Sequence, residues 1–232
     1  MKKLFEKHES LISILLIVVY VMINSYCMQN FGLEDYRSTI INTIFSIVLI
    51  GLVIAIDRVE FYGLRKVTDA KKYLYFIPLV AIACVNLLNG FNANLLPMQI
   101  VFYMLTMLNI GFIEEMLFRG FLFRMMEKDN LKSAIAVSSI TFGMGHIVNL
   151  LNGAELVSTL FQMGYAIAIG YMLVILFYRS KSIIPGVIMH ALINALSVFN
   201  IENVLSLYIA PIFLIIVPLL YAHYINEEVK ES

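Results

Sequence analysis

Charged residues are scarce in this chain. Lysine, arginine, aspartate and glutamate make up 14% of its 232 residues, whereas soluble domains carry about 25%. This scarcity excludes an ordinary soluble domain. Sixteen basic and sixteen acidic residues cancel, so the net charge says nothing about partners. With 61% hydrophobic residues and a mean hydropathy of +0.87, the composition predicts an all-α, polytopic membrane protein embedded in the lipid bilayer along most of its length.

Cysteine is also scarce. Cys27 and Cys84 stand far apart in apolar segments, without the CxxC spacing of a redox or metal site. We interpret them as small buried hydrophobic residues. The basic N-terminus and the apolar run after it are similar to a signal peptide. No A-x-A-like cleavage site follows, however, so we expect a retained first helix.

Apolar runs of about twenty residues predict eight membrane-spanning helices. The runs cover residues 11–28, 39–56, 73–89, 98–124, 133–151, 156–178, 183–199 and 204–224. No repeat, low-complexity tract or linker divides the chain. Residues 1–232 are therefore expected to form a single transmembrane domain, with a motif-bearing core at about 98–199.

Basic residues fall almost entirely on one side of the predicted spans. Fourteen of the sixteen lie in the N-terminal tail, in alternate loops and in the C-terminal tail. Arg37 alone lies on the opposite side, and Arg119 lies within a span. Because basic loops are retained in the cytoplasm, both termini are predicted to be cytoplasmic.

Away from the ends of the predicted spans, five acidic, basic or histidine residues remain: Glu114, Glu115, Arg119, His146 and His190. Such groups cost free energy in hydrocarbon and are candidates for a functional site. At a rise of 1.5 Å per residue, Glu114, His190 and His146 lie about 15, 13 and 21 Å from the nearest basic residue at the cytoplasmic end of their spans. Three helices therefore carry ionisable groups at similar depth, and we expect these groups to meet.

Helical spacing predicts which of these side chains share a helix face and can pair. Glu115 and Arg119 are four residues apart on one helix face, so they can form an ion pair. Glu114 is rotated by about 100° and can face another direction. Gly111 and Gly120 bracket the motif and are expected to let neighbouring helices approach closely.

The same four-residue spacing relates polar groups in two further spans. Phe142 and His146 share a face in "TFGMGH", and His190 and Asn194 share a face in "HALIN". A buried carboxylate beside a histidine can take a proton from water. A second histidine with an asparagine can stabilise an oxyanion. No serine stands at an obvious spacing from a histidine, so a serine nucleophile is disfavoured.

A metal site is an alternative interpretation of the same residues. Glu114, His146 and His190 are reasonable zinc ligands and would leave a position for water. The chain has no HExxH motif, in which both histidines would share one helix. Spacing therefore leaves zinc and a metal-free mechanism both open.

Three motifs together resemble those of a known family. "EEMLFR", "FGMGH" and "HALIN" are similar to the EExxxR, FxxxH and HxxxN/B motifs of the CPBP family, which comprises CAAX proteases and bacteriocin-processing (Abi) enzymes. They cover residues 114–194 in the family's order. The resemblance implies an eight-helix intramembrane endopeptidase with a cavity open to the cytoplasm. It implies roles for six residues: water activation by Glu114 and His146, oxyanion stabilisation by His190 and Asn194, and ordering of the site by Glu115 with Arg119.

The resemblance also suggests a biological setting. The short termini are typical of a bacterial member in the cytoplasmic membrane, where peptide precursors or membrane proteins are the expected substrates. The expected partners are the lipid bilayer and a peptide or membrane-protein substrate, and no nucleic acid. Bacteriocin self-immunity or precursor processing is the expected role. Two other classes of function stay open. Buried glutamate, arginine and histidine also serve proton- or ion-coupled transporters, although the chain lacks matching halves with broken helices. A non-catalytic immunity protein that binds its partner is the third.

Overall fold

The computed structural model describes residues 2–67, 76–88, 95–199, 203 and 205–228. All regular elements in these ranges are helical. The helices are α1 (Lys2–Lys7), α2 (Glu9–Asn30), α3 (Tyr36–Ala55), α4 (Phe76–Ala83), α5 (Val85–Leu88), α6 (Pro97–Glu115), α7 (Arg124–Glu127), α8 (Leu131–Gly145), α9 (Val148–Leu151), α10 (Leu156–Ser180), α11 (Ile184–Leu196) and α12 (Ala210–Glu228). Met116–Phe123 and Leu205–Ile209 form π-helices, and Ser197–Phe199 form a 3₁₀ turn.

Six helical stretches in the described ranges are long and apolar enough to cross a membrane. They are Glu9–Asn30, Tyr36–Ala55, Pro97–Glu127, Leu131–Leu151, Leu156–Ser180 and Leu207–Glu227, and Ile184–Phe199 is a shorter apolar helix. The expectation of an all-helical, multi-pass membrane protein is confirmed. The number of eight spans stays a prediction. Its third run, 73–89, contains α4 and α5, but residues 73–75 and 89 lie outside the described residues.

Local chemistry sets where several helices begin. Before α3, the Asp35 side chain accepts a hydrogen bond from the Arg37 backbone at 2.8 Å, and the hydrogen bonds from Arg37 lower the pKa of Asp35 to about 2. Before α8, the Asn130 side chain accepts from the Ser133 backbone at 2.9 Å. Polar caps of this kind satisfy backbone N–H groups that a helix leaves unpaired at its start.

Ion pairs bring several loops together at one end of the bundle. They are Lys2–Asp57 (3.4 Å), Glu9–Lys128 (2.6 Å) and Glu127–Lys181 (3.8 Å). Near the end of α12, Asn226 accepts a hydrogen bond from Arg179 at 2.6 Å. We call this the basic end. It gathers segments that the charge pattern assigns to the cytoplasm, and its orientation in a membrane stays a prediction.

The longest helix, α10, packs between α8 and α12, while α6 packs against α3 and α11. Gly111 makes the α6–α11 approach possible. A Cβ atom there would lie 2.9 Å from the Ala191 nitrogen and 3.1 Å from its Cα. The expectation of close approach is wrong for Gly120, where the nearest atom to an added Cβ would be Met116 Cε at 3.7 Å.

Gly111→Ala is therefore expected to destabilise the protein. The added methyl group meets backbone atoms of α11, which cannot move aside as a flexible side chain can, and overpacking of this kind costs about 1–3 kcal/mol. The free energy of unfolding in detergent micelles measures the effect. Gly51→Ala is the matched control, since an added Cβ there meets nothing within 4 Å. Equal stability of the two variants would contradict the prediction.

Candidate active site

The glutamate motif lies where a helix changes its winding. Glu115 is the last residue of α6, and Met116–Phe123 continue as a buried π-helix before α7. Such wide turns occur frequently at functional sites. The Ser138 hydroxyl on α8 donates a hydrogen bond to the Phe118 carbonyl at 2.8 Å. The π-helix is thereby attached to the neighbouring helix that carries the second motif.

Glu115 and Arg119 form the ion pair that their spacing predicts. Arg119 Nη1 lies 3.0 Å from Glu115 Oε1, and the two side chains are 0% and 1% exposed. Arg119 Nη2 also donates to the Gly170 carbonyl on α10 at 3.1 Å. The guanidinium lies 4.3 Å from the centre of the Phe142 ring, a cation–π contact. Arg119 thus joins three helices at the centre of the bundle.

His190 lies between the two glutamates. Its Nδ1 is 3.0 Å from Glu115 Oε1, and its Nε2 is 3.3 Å from Glu114 Oε2. With Nδ1–H donating to Glu115, a neutral ring would turn a nitrogen lone pair toward Glu114. The contact between His190 Nε2 and Glu114 Oε2 is favourable when either His190 or Glu114 carries a further proton. The arrangement therefore suits a group that receives and returns a proton.

Glu114 has a partner that the sequence did not predict. The Tyr20 hydroxyl on α2 donates a hydrogen bond to Glu114 Oε1 at 2.6 Å. Nothing in the sequence relates these two positions, which are ninety-four residues apart. Asn24, one turn further along α2, lines the cavity beside Glu114. Polar groups on one face of an otherwise apolar first span are a signal that could have indicated this helix.

His146 and Asn194 join the site by lining the same cavity as Glu114. His146 stands where α8 ends, and its ring packs edge-on against Phe142 at 5.7 Å between centroids. Phe142 makes a second edge contact with His190 at 5.4 Å. The structure thus brings all six predicted residues to one place. Four are connected in the order Arg119–Glu115–His190–Glu114.

The cavity beside Glu114 has a volume of about 210 Å³. Beyond Glu114 it is lined by polar residues that include Asn24, Asn149 and Gln162, on the helix halves distant from the basic end. The resemblance implies a cavity that opens to the cytoplasm, and this direction of opening stays a prediction. Arg119 and the aromatic side chains of the π-helix are buried.

The predicted zinc ligands do not form a three-ligand site as they lie. Within the described ranges, no three His, Cys, Asp or Glu side chains are grouped so that they could hold a metal ion. Glu114 Oε2 and His190 Nε2 point toward each other, so neither atom is directed at a metal position. The other oxygen of Glu114 accepts a hydrogen bond from Tyr20. A zinc ion would require these side chains to turn, so zinc stays a prediction.

Comparison with known proteins agrees with the motifs. Residues 96–196 match the family model of the type II CAAX prenyl endopeptidases described as Rce1-like. This segment contains α6, the π-helix, α8, α10 and α11, and with them all six predicted site residues. Neither the curated proteins nor the solved structures gave a match. Residues 96–196 are therefore similar to the CAAX-protease domain of the CPBP family, in agreement with the three motifs.

Proposed function

We propose that this protein is an intramembrane endopeptidase that cleaves a peptide bond with water activated by Glu114 and His146. One observation carries the proposal: Glu114 lines a polar cavity, and its buried Oε2 lies 3.3 Å from His190 Nε2 and accepts no hydrogen bond of normal geometry from the described residues. Because this oxygen has no donor of its own, it can accept a proton from a water molecule that enters the site from the cavity.

The attack step uses groups on three helices. Water gives one proton to Glu114 Oε2, and its oxygen bonds to the carbonyl carbon of the substrate. His146, on the same cavity wall, holds this water by a hydrogen bond. The negative charge that develops on the carbonyl oxygen is stabilised by hydrogen bonds from Nε2–H of the doubly protonated His190 and from the Asn194 amide. The C–N bond then breaks, and the proton held by Glu114 passes to the leaving amine.

Glu115 and Arg119 hold His190 for this role. Glu115 accepts from His190 Nδ1, which leaves Nε2 directed toward Glu114 and the cavity. Arg119 holds Glu115 in place through its 3.0 Å contact. A histidine bound at Nδ1 by a carboxylate has a defined orientation, and it donates from Nε2 when the ring carries both protons. The ion pair therefore acts on the substrate through His190.

The test is cleavage of a substrate peptide by the purified protein in liposomes. The substrate is the peptide that accumulates uncut in a strain lacking this protein. Wild type is expected to release two fragments, and His146→Ala is expected to lower kcat by about 100-fold or more. His223→Ala, an exposed histidine on α12, is the matched control and should cleave normally.

Each outcome has a defined meaning. If the purified wild-type protein fails to cleave a peptide whose cleavage in cells depends on this protein, the endopeptidase proposal is overturned. Cleavage at the normal rate by His146→Ala would overturn the role of that histidine. In the same assay, activity lost to a chelator and restored by zinc would establish the zinc mechanism, whereas activity that survives chelation supports the metal-free one.

The proposed setting is the cytoplasmic membrane of a bacterium. There the substrate is a peptide precursor or a membrane protein, and the role is bacteriocin self-immunity or precursor maturation. The polar cavity within a bundle of apolar helices supports a peptide or membrane-protein substrate, because a peptide segment in the membrane needs partners for its backbone groups. If immunity survives the loss of both Glu114 and His146, binding rather than cleavage provides it.

A further inference from the structure

The hydroxyl of Tyr20 reaches the centre of the site from a helix outside the matched residues 96–196. Tyr20 is 3% exposed, although its neighbours Val18, Val19 and Met22 are 42–66% exposed on the outer faces of α2. Its ring packs against Phe45 on α3, with centroids 6.1 Å apart. Tyr20 thus stands on the single inward face of an otherwise lipid-facing helix.

The rest of that face lines the cavity. Tyr20, Asn24 and Met28 follow one another at four-residue intervals and all contribute to its wall. At one end of α2, Glu9 pairs with Lys128 at 2.6 Å. At the other end, the Gln29 side chain donates to Asn152 at 2.8 Å. Contacts at both ends therefore fix the rotation of α2 that presents Tyr20 to Glu114.

The contact with Tyr20 determines which oxygen of Glu114 faces the reaction. A glutamate carboxylate turns about its last bond unless one of its oxygens is held. Tyr20 binds Oε1 at 2.6 Å, and the other oxygen then points toward His190. A hydrogen bond to an ionised group is stronger than one between neutral groups, so this contact is well suited to hold the carboxylate.

We propose that Tyr20 is a positioning residue that orients Glu114 so that Oε2 receives the proton of the attacking water. This inference rests on the proposed peptidase function and assigns a role to α2 that the motifs do not contain. Tyr20 acts through Glu114, not on the substrate. Its removal should therefore impair the chemical step and leave substrate binding intact.

The first test is Tyr20→Phe in the liposome cleavage assay. The variant keeps the ring and its contact with Phe45 and removes one oxygen atom. We expect kcat to fall about 10- to 100-fold, as for loss of a hydrogen bond to a charged group, with KM nearly unchanged. Tyr26→Phe is the matched control, since Tyr26 lies on the same helix and is 55% exposed. A normal kcat for folded Tyr20→Phe would overturn the proposal.

The second test combines Tyr20→Phe with Glu114→Gln. If Tyr20 acts through Glu114, the double variant should be no slower than Glu114→Gln alone. A further tenfold loss in the double variant would mean that Tyr20 acts independently of Glu114 and would overturn the inference. Normal cleavage by Glu114→Gln would instead overturn the proposed base. The two failures are therefore distinguishable.

A third measurement needs neither activity nor the Tyr20 variant. Infrared difference spectra between wild type and Glu114→Gln report the tyrosine C–O stretching band. If Tyr20 donates to the Glu114 carboxylate, one tyrosine loses an anionic partner in Glu114→Gln and its band should shift. An unchanged tyrosine band would contradict the contact on which the inference depends.

Discussion

Glu114→Gln is expected to lower kcat by about 100- to 10,000-fold, the range for loss of a general base. The amide has nearly the shape of the carboxylate and still accepts a hydrogen bond from Tyr20, so the cavity should be preserved. It cannot take a proton from water. The measurement is the rate of peptide cleavage in liposomes under saturating substrate, with binding measured separately.

Glu155→Gln is the matched control for this substitution. Glu155 is an exposed glutamate at the start of α10, at the other end of the molecule from the basic end, and its amide variant should cleave normally. A Glu114→Gln variant that retained more than a tenth of the normal kcat would show that another group activates water. His190, which faces the same oxygen, would then be the next residue to test.

Arg119→Met is expected to lower the free energy of unfolding by about 3–5 kcal/mol, the cost of leaving one member of a buried ion pair without its partner. Arg119 is fully buried and contacts Glu115, the Gly170 carbonyl and the Phe142 ring. Methionine fills much of the same space but leaves the Glu115 side chain without its arginine partner in an apolar interior. Unfolding in detergent micelles, followed by circular dichroism, measures the change.

Two controls isolate the contribution of the ion pair. Arg37→Met removes the arginine of an exposed pair with Asp35 and should leave stability nearly unchanged, because water screens such pairs. The double variant Glu115→Gln/Arg119→Met should recover part of the loss, since no unpaired charge remains. Normal stability of Arg119→Met would mean that Glu115 is held by His190 alone.

The sequence was sufficient to predict which ionisable residues of the spans lie close together. In an apolar span each ionisable side chain is costly, so the few that remain stand out without any knowledge of the fold. Helical geometry then predicted the pairing of Glu115 with Arg119, because residues four apart on one helix are neighbours wherever the helix lies. The order of the three motifs indicated the family that the comparison of residues 96–196 confirmed.

The position of His190 between two glutamates depended on the tertiary structure. Its sequence neighbours relate it to Asn194, whereas its contacts with Glu114 and Glu115 come from the approach of α11 to α6 at Gly111. The same holds for Gly170, whose carbonyl accepts from Arg119. Contacts between helices depend on packing angles and on which faces meet, and local spacing does not contain that information.

The first helix and the cavity show most clearly what the sequence determines and what only the tertiary structure decides. Composition and the apolar run determined that residues near Tyr20 would form a membrane-spanning helix, because only a helix satisfies its own backbone in lipid. Only the assembled bundle decided that Tyr20 would face Glu114 and that the cavity would extend away from the basic end. Hydrophobicity sets which segments enter the membrane, but side-chain packing between segments sets the rotation of each helix and the space that is left open.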